Sequence, residues 1–141
     1  MNKYQIVIDT NVLISALRSC RGASHKLLTL IDRELFEINI SIPLILEYED
    51  VAKRLIEEIN LSENDIDDIL DYLCTVSNRR KIFYLYRPYL RDADDDMVLE
   101  LAVAAKCDFI ITHNIKHFQG ISHLGIRALT PKEFLELSGV K

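Results

Sequence analysis

Positive charge is in short supply in this chain. It carries 17 lysines and arginines against 22 aspartates and glutamates, a net charge of −5. Nonspecific grip on nucleic-acid phosphates comes from Lys and Arg. The deficit therefore excludes a general DNA-coating protein, though not an enzyme that meets phosphates through metal ions. Cysteine is scarce as well. Cys20, Cys74 and Cys107 are odd in number and form no C-x-x-C pair. They read as small buried hydrophobes in a reducing cytosol. No apolar run approaches the length of a membrane span. The start of the chain lacks the apolar run and small-residue cleavage site of a signal peptide. A soluble, cytoplasmic protein with no membrane partner is expected.

Repeats, low-complexity segments and linkers are also missing, so residues 1–141 read as one domain. A chain of this length buries roughly 68–70% of its unfolded surface and needs no staples.

What is present alternates between strand and helix signals. Tyr4 to Ile8 is apolar almost throughout, as in a parallel strand covered on both faces. Val12 to Leu17 begins a helix. Ser24 to Arg33 is helical, with Leu27, Leu28, Leu30 and Ile31 inward. Phe36 to Ile40 alternates as a strand. Pro43 opens a helix to about Ile59, and Ser62 caps another over Glu63 to Thr75. Lys81 to Leu85 is β-like. Met97 to Lys106 is apolar on nearly every side, hence a buried helix. Phe109 to Thr112 and Ile126 to Leu129 are short strands. Thr130-Pro131-Lys132-Glu133 combines a capping box with proline at the first helical position and starts a last helix ending near Gly139. This order implies an α/β fold, a mostly parallel central sheet with helices on both faces. Active sites in such sheets lie beyond the carboxyl ends of the strands, at the switch in strand order.

Three acidic residues stand where such an edge would present them. Asp9 ends the first strand, Glu47 lies one turn into the helix after Pro43, and Asp96 closes the run Arg91-Asp92-Ala93-Asp94-Asp95-Asp96. Like charges brought together repel by roughly 4 kcal/mol per pair at about 4 Å and an effective dielectric near 20. A fold keeps such a cluster when a cation sits in it, and Mg²⁺ or Mn²⁺ suits carboxylate oxygens.

In order along the chain, Val7-Ile8-Asp9-Thr10-Asn11-Val12-Leu13, Pro43-Leu44-Ile45-Leu46-Glu47, Arg91 to Asp96 with Leu99-Glu100-Leu101-Ala102, and Ile110-Ile111-Thr112 resemble PIN-domain proteins. The chain is most similar to the branch containing the VapC toxins of toxin–antitoxin pairs. The resemblance covers nearly the whole chain. It implies a three-layer α/β/α fold and a Mg²⁺- or Mn²⁺-dependent ribonuclease acting on RNA. It also implies a cognate antitoxin and a homodimer. By position, Asp9, Glu47 and Asp96 match the family's metal-binding acids. The family's Thr-x-Asp reads Thr112-His113-Asn114 here. An amide oxygen still ligates a hard cation but brings no charge. One metal ion is thus expected to bind well and a second poorly, with Asp92, Asp94 or Asp95 as substitute charges.

The expected chemistry is phosphodiester hydrolysis. Thr112 would bond a metal-held water or a phosphate oxygen, and Asn11 would orient Asp9. Arg91 and Lys116 are candidate RNA contacts. Plainer readings stand beside these. Asp9 alone is a turn or helix cap, and Glu47 alone a solvated helix residue, with Asp50 one turn on. Two of Asp92, Asp94, Asp95 and Asp96 favour the positive end of the next helix. His113 and His117 read as surface or turn histidines. Asn78-Arg79-Arg80-Lys81 with its downstream tyrosines reads as a half-buried strand with a charged edge. The competing function is a catalytically weakened domain that binds RNA or protein.

Overall fold

A computed structural model describes residues 3–81 and 93–140. Among the described residues, five strands form one sheet in the order β3-β2-β1-β4-β5: β1 (Tyr4–Ile8), β2 (Phe36–Ile40), β3 (Asn78–Arg79), β4 (Phe109–Ile111) and β5 (Arg127–Leu129). All four pairings are parallel, with Ile6 opposite both Ile38 and Phe109. Six helices complete the α/β/α layers: α1 (Thr10–Arg18), α2 (Ala23–Thr29), α3 (Ile42–Arg54), α4 (Glu63–Val76), α5 (Ala93–Ala104) and α6 (Pro131–Leu137).

Parallel strands covered on both faces must be largely apolar, and the central strands are. Ile6, Val7, Ile8, Ile38, Ile40, Ile110 and Ile111 are all buried. Helix α5 supplies Val98, Leu99, Leu101 and Ala102 to the same core and packs on β1 and β4. At the other end of the strands, Phe134 of α6 meets Tyr4, Phe36 and Phe109 with ring centroids 5.6–5.8 Å apart. Such edge-to-face contacts add about 0.5–1.5 kcal/mol each beyond area burial. They hold the last helix onto the sheet.

Several boundaries differ from those read in the sequence, each for a local reason. Helix α2 stops at Thr29, and Ile31–Arg33 is a separate 3-10 turn ending on Glu34 at φ 63°. Of the four residues expected inward there, only Leu27 is fully buried. Helix α3 begins at Ile42 because the Ser41 hydroxyl accepts from the Leu44 amide; Pro43 sits second, and the helix ends at Arg54 rather than Ile59. Helix α5 starts at Ala93, so Asp94, Asp95 and Asp96 lie within its first turn rather than before it. Acidic residues are favoured in a first helical turn, where they meet the positive end of the dipole. Strand β3 is Asn78–Arg79, upstream of the expected Lys81–Leu85, most of which lies outside the described residues. The capping boxes at Ser62 and Thr130 form with Asp65 and Glu133. Cys107 is buried and its thiol is pushed up to about 12 by desolvation, but Cys20 is exposed, contrary to expectation.

No helix of the described residues is long and apolar enough to cross a membrane.

Candidate active site at the carboxyl edge of the sheet

The strand order reverses direction at β1, whose neighbours are β2 and β4. A crevice opens beyond the carboxyl ends of strands flanking such a switch. The chain places Asp9 directly after β1 and Thr112 directly after β4. Two ladder bonds carry the pairing past the strand ends: Asp9 N–H to the Ile111 carbonyl and Thr112 N–H to the Leu129 carbonyl, both at 2.9 Å. The backbone under both side chains is therefore fixed.

Asp9 is the N-cap residue of α1, with φ −65° and ψ 150°. Its capping is unusual. A cap side chain ordinarily accepts from the second or third helical amide, whereas Asp9 Oδ1 accepts from the first, Thr10, at 2.8 Å. Its other oxygen, Oδ2, turns toward β4 and accepts from Thr112 Oγ1 at 2.7 Å and from Asn11 Nδ2 at 3.2 Å. Asn11 faces two ways, since its Oδ1 accepts from the His113 amide at 3.1 Å. Thr112 Oγ1 accepts in turn from the Asn114 amide at 3.0 Å. One chain of bonds thus links the ends of β1 and β4.

Glu47 arrives from α3. Its carboxylate accepts the hydroxyl proton of Thr10, so Thr10 joins both acids, Asp9 through its amide and Glu47 through its side chain. The next residue, Tyr48, is buried and donates its hydroxyl to the Ile8 carbonyl at the end of β1. That bond ties α3 to the strand directly beneath Asp9. Desolvation pushes the Tyr48 phenol well above its ordinary range, and the charges of Asp9 and Glu47 push it further. The hydroxyl accordingly stays a donor.

Burial raises the Asp9 carboxyl above the ordinary aspartate range. It outweighs the bonds from Thr112, Thr10 and Asn11 and the nearby His117, all of which pull it down. The structure thus keeps a carboxylate where water solvates it poorly, and a cation at Oδ1 or Oδ2 would relieve that cost.

The third acid, Asp96, is 2% exposed on α5. Glu100, 3% exposed, is four residues on and shares its helix face. Sequence reasoning gave Glu100 no role, although an acid within the apolar run Met97-Val98-Leu99-Glu100-Leu101-Ala102 was a visible signal. It likewise passed over Tyr48 and Thr10. A tyrosine in an amphipathic helix reads as packing, and nothing in its spacing reveals the Ile8 carbonyl. Asp95 is spoken for: its Oδ2 lies 3.0 Å from His117 Nδ1. Asp94 falls in the first turn of α5, while Asp92 and Arg91 lie outside the described residues. The side chains of Asn114 and Lys116 are exposed at the 3-10 turn Ile115–Phe118 that follows β4.

Among the described residues, no group of three or more His, Cys, Asp or Glu side chains is gathered closely enough to hold a metal ion. The donors that do converge are hard oxygens, two carboxylates bridged by Thr10. Mg²⁺ is ordinarily held by one or two carboxylates and keeps several waters. The residues present fit an ion of that kind rather than one caged wholly by protein.

Comparison with known proteins agrees with the fold and extends it. A relative from Methanocaldococcus jannaschii, an uncharacterised protein, is 31% identical over 147 residues, covering 95% of this chain and 91% of that protein. The crystal structure of VapBC2 from Rickettsia felis bound to a DNA fragment from its promoter contains a chain of the same fold. That likeness has a TM-score of 0.62 at 17% identity, over 89% of this chain and 98% of the other. The family described as PIN domain matches residues 5–116, a span that takes in Asp9, Glu47, Asp96, Thr112 and Asn114. The chain belongs to the PIN-domain family.

Proposed function

We propose that this protein is a metal-dependent endoribonuclease, the toxin of a toxin–antitoxin pair. PIN domains are generally nucleases and typically use divalent metal ions. The observation that carries the reading is the buried Asp9 carboxylate, fixed by Thr112 and Asn11 at the switch point and bridged by Thr10 to Glu47. A plain helix cap has no need of this arrangement. The toxin half rests on the fold shared with a chain of the VapBC2 complex.

Asp9 and Glu47 would hold Mg²⁺ or Mn²⁺, with Asp96 completing the acidic set. The ion supplies an acidified water and offsets charge building on the phosphate oxygens. The chain's own residues do the positioning. Asn11 holds Asp9 Oδ2 and the His113 amide together, so the strand-end loops cannot separate without breaking both bonds. Thr112 gives its only hydroxyl proton to Asp9, so toward any other ligand it is an acceptor. It can still accept a bond from a metal-held water. Lys116, exposed beyond the Asn114 turn, contributes positive charge along the strand's path, and Arg91 remains a candidate outside the described residues.

A cognate antitoxin partner, an RNA substrate, a homodimer and a cytoplasmic location complete the reading. The second function, a binding module weakened by Asn114, is separated from it by cleavage. Purified wild type, Asp9→Asn and Asp96→Asn are incubated with a mixed RNA pool in Mn²⁺, in Mg²⁺ and in chelator. Metal-dependent cleavage lost in both variants is the expected result. Folded, metal-loaded protein that cuts nothing would leave only the binding module.

A further inference from the structure

His117 reads in the sequence as a surface or turn histidine, and its setting in the structure is unusual. It sits in the 3-10 turn after β4, anchored by the buried Phe118 beside it. Its Nδ1 lies 3.0 Å from Oδ2 of Asp95, whose side chain is 10% exposed, while the histidine side chain is 48% exposed. Asp95 precedes Asp96 on α5, and a positive charge on the ring would pull the Asp9 carboxyl down, so His117 faces the acidic end of the sheet.

With Nδ1 committed to a buried carboxylate, the ring's tautomer and orientation are set, as in other carboxylate–imidazole pairs. Only Nε2 remains for a ligand, and among the described residues it has no partner. A counter-ion to Asp95 would need Nδ1 alone. The half-exposed ring edge is surplus to that role. In the imidazolium form both nitrogens donate, one to Asp95 and one outward, and a phosphate oxygen is the natural acceptor.

We infer that His117 contacts the RNA directly, its Nε2 donating to a phosphate oxygen of the strand lying across Asp9, with Asp95 as the residue that positions it. The inference rests on the nuclease reading and adds a substrate contact to it. It also bears on the net negative charge: a protonated ring there would add a cation where the strand must approach.

The test is binding rather than turnover. A labelled single-stranded RNA with phosphorothioate linkages is titrated with the full chain in Mn²⁺ and followed by anisotropy, with thermal melts alongside. His117→Ala should weaken binding about tenfold, the scale of one charge-assisted hydrogen bond. Asp95→Asn should weaken it less, and His117→Arg should restore part of the loss without Asp95. Wild-type affinity in His117→Ala overturns the inference. So does an equal loss in the Ala and Arg variants that follows a fall in folded fraction, which would make His117 a counter-ion only. Wild-type protein that binds and cleaves no RNA overturns the nuclease reading, and this inference with it. Tight wild-type binding with an indifferent His117 overturns this inference alone.

Discussion

Two carboxylates at two places on the same sheet have been pushed in opposite directions. Glu37 on β2 lies in a web of amides. Gln5 Nε2 and Asn78 Nδ2 donate to its Oε1 at 3.1 and 3.0 Å, and Asn39 bonds Gln5, the Ile6 carbonyl and Arg80. The bonds from Asn78 and Gln5 lower the Glu37 carboxyl below its ordinary range. Asp9, at the carboxyl end of β1, also accepts three bonds, yet burial overrides them and raises it. Both have neutral donors, so hydrogen bonding does not separate them. What differs is water: Glu37 keeps its solvent and Asp9 has lost it. A protein built only for stability would have no reason to bury the second group. Polar groups spent on holding strands together and polar groups held at a cost for chemistry can be told apart on this one sheet.

The largest expected effect tests that division by activity. Glu47→Gln should reduce metal-dependent RNA cleavage at least about 100-fold, the scale of removing one essential electrostatic group from a site. Glu37→Gln, the same change in the amide web, should leave the rate per folded molecule within about twofold. Initial rates on a defined RNA would show this, and equal losses in both variants would erase the distinction.

Stability should answer in reverse. Asn39 is fully buried, and its amide spans β1, β2 and Arg80. Asn39→Ala strands these partners and should cost about 2–3 kcal/mol. For a domain of this size that lowers Tm by roughly 6–10 °C. Calorimetry checks it, and a Tm within a degree of wild type would show that the web does not hold the edge strand.

A smaller shift carries the sign of the Asp9 perturbation. Its folded carboxyl lies above the unfolded value, so the folded state favours the protonated form. That preference stabilises the protein fully below the unfolded aspartate range. It is lost as pH rises through the raised folded value, leaving a buried charge at neutral pH. Asp9→Asn removes the charge and keeps an oxygen for Thr10 but turns an amide N–H toward the Asn11 and Thr112 donors, so it should raise Tm at neutral pH by no more than about 3 °C. The gain should fade on acidification. Glu37 has the opposite dependence: its stabilisation is present above the unfolded glutamate range and fades as pH falls through its lowered value. Melts of wild type, Asp9→Asn and Glu37→Gln across pH 4–8 would cross if the two carboxyls differ as described.

The layered architecture could be read from the chain because β1 and β4 are nearly continuous in apolar residues and α3, α4 and α6 carry side-chain caps. Ser62 with Asp65 and Thr130 with Glu133 form boxes whose partners lie three residues apart. Asp9 and Thr112 could be placed at one edge because both follow directly on strands that a parallel sheet aligns. What could not be read depends on partners far apart in sequence. The Thr10 hydroxyl reaches Glu47, the Tyr48 hydroxyl reaches Ile8, and His117 reaches Asp95 across 22 positions. Asp95 was weighed as spare charge for a metal ion, and only the fold shows it facing an imidazole. Helix α5 begins earlier than the apolar run suggests because a run of acids reads as a loop, although acids are favoured in a first helical turn.

The smallest prediction adds charge to the site end of the comparison. Asn114 stands where the family pattern has an acid, in the turn whose amide bonds Thr112 Oγ1. Its side chain is exposed, so a new carboxylate there would act on a nearby ion mostly through water. That is worth about 1 kcal/mol at a few ångströms, or roughly fivefold in affinity. Asn114→Asp should therefore tighten the weaker Mn²⁺ event about fivefold in a calorimetric titration and leave the tighter one nearly unchanged. The same substitution at Asn78, in the amide web, should change neither. Two equally tight Mn²⁺ sites in wild type would remove the premise, because the missing acid would then cost the metal centre nothing.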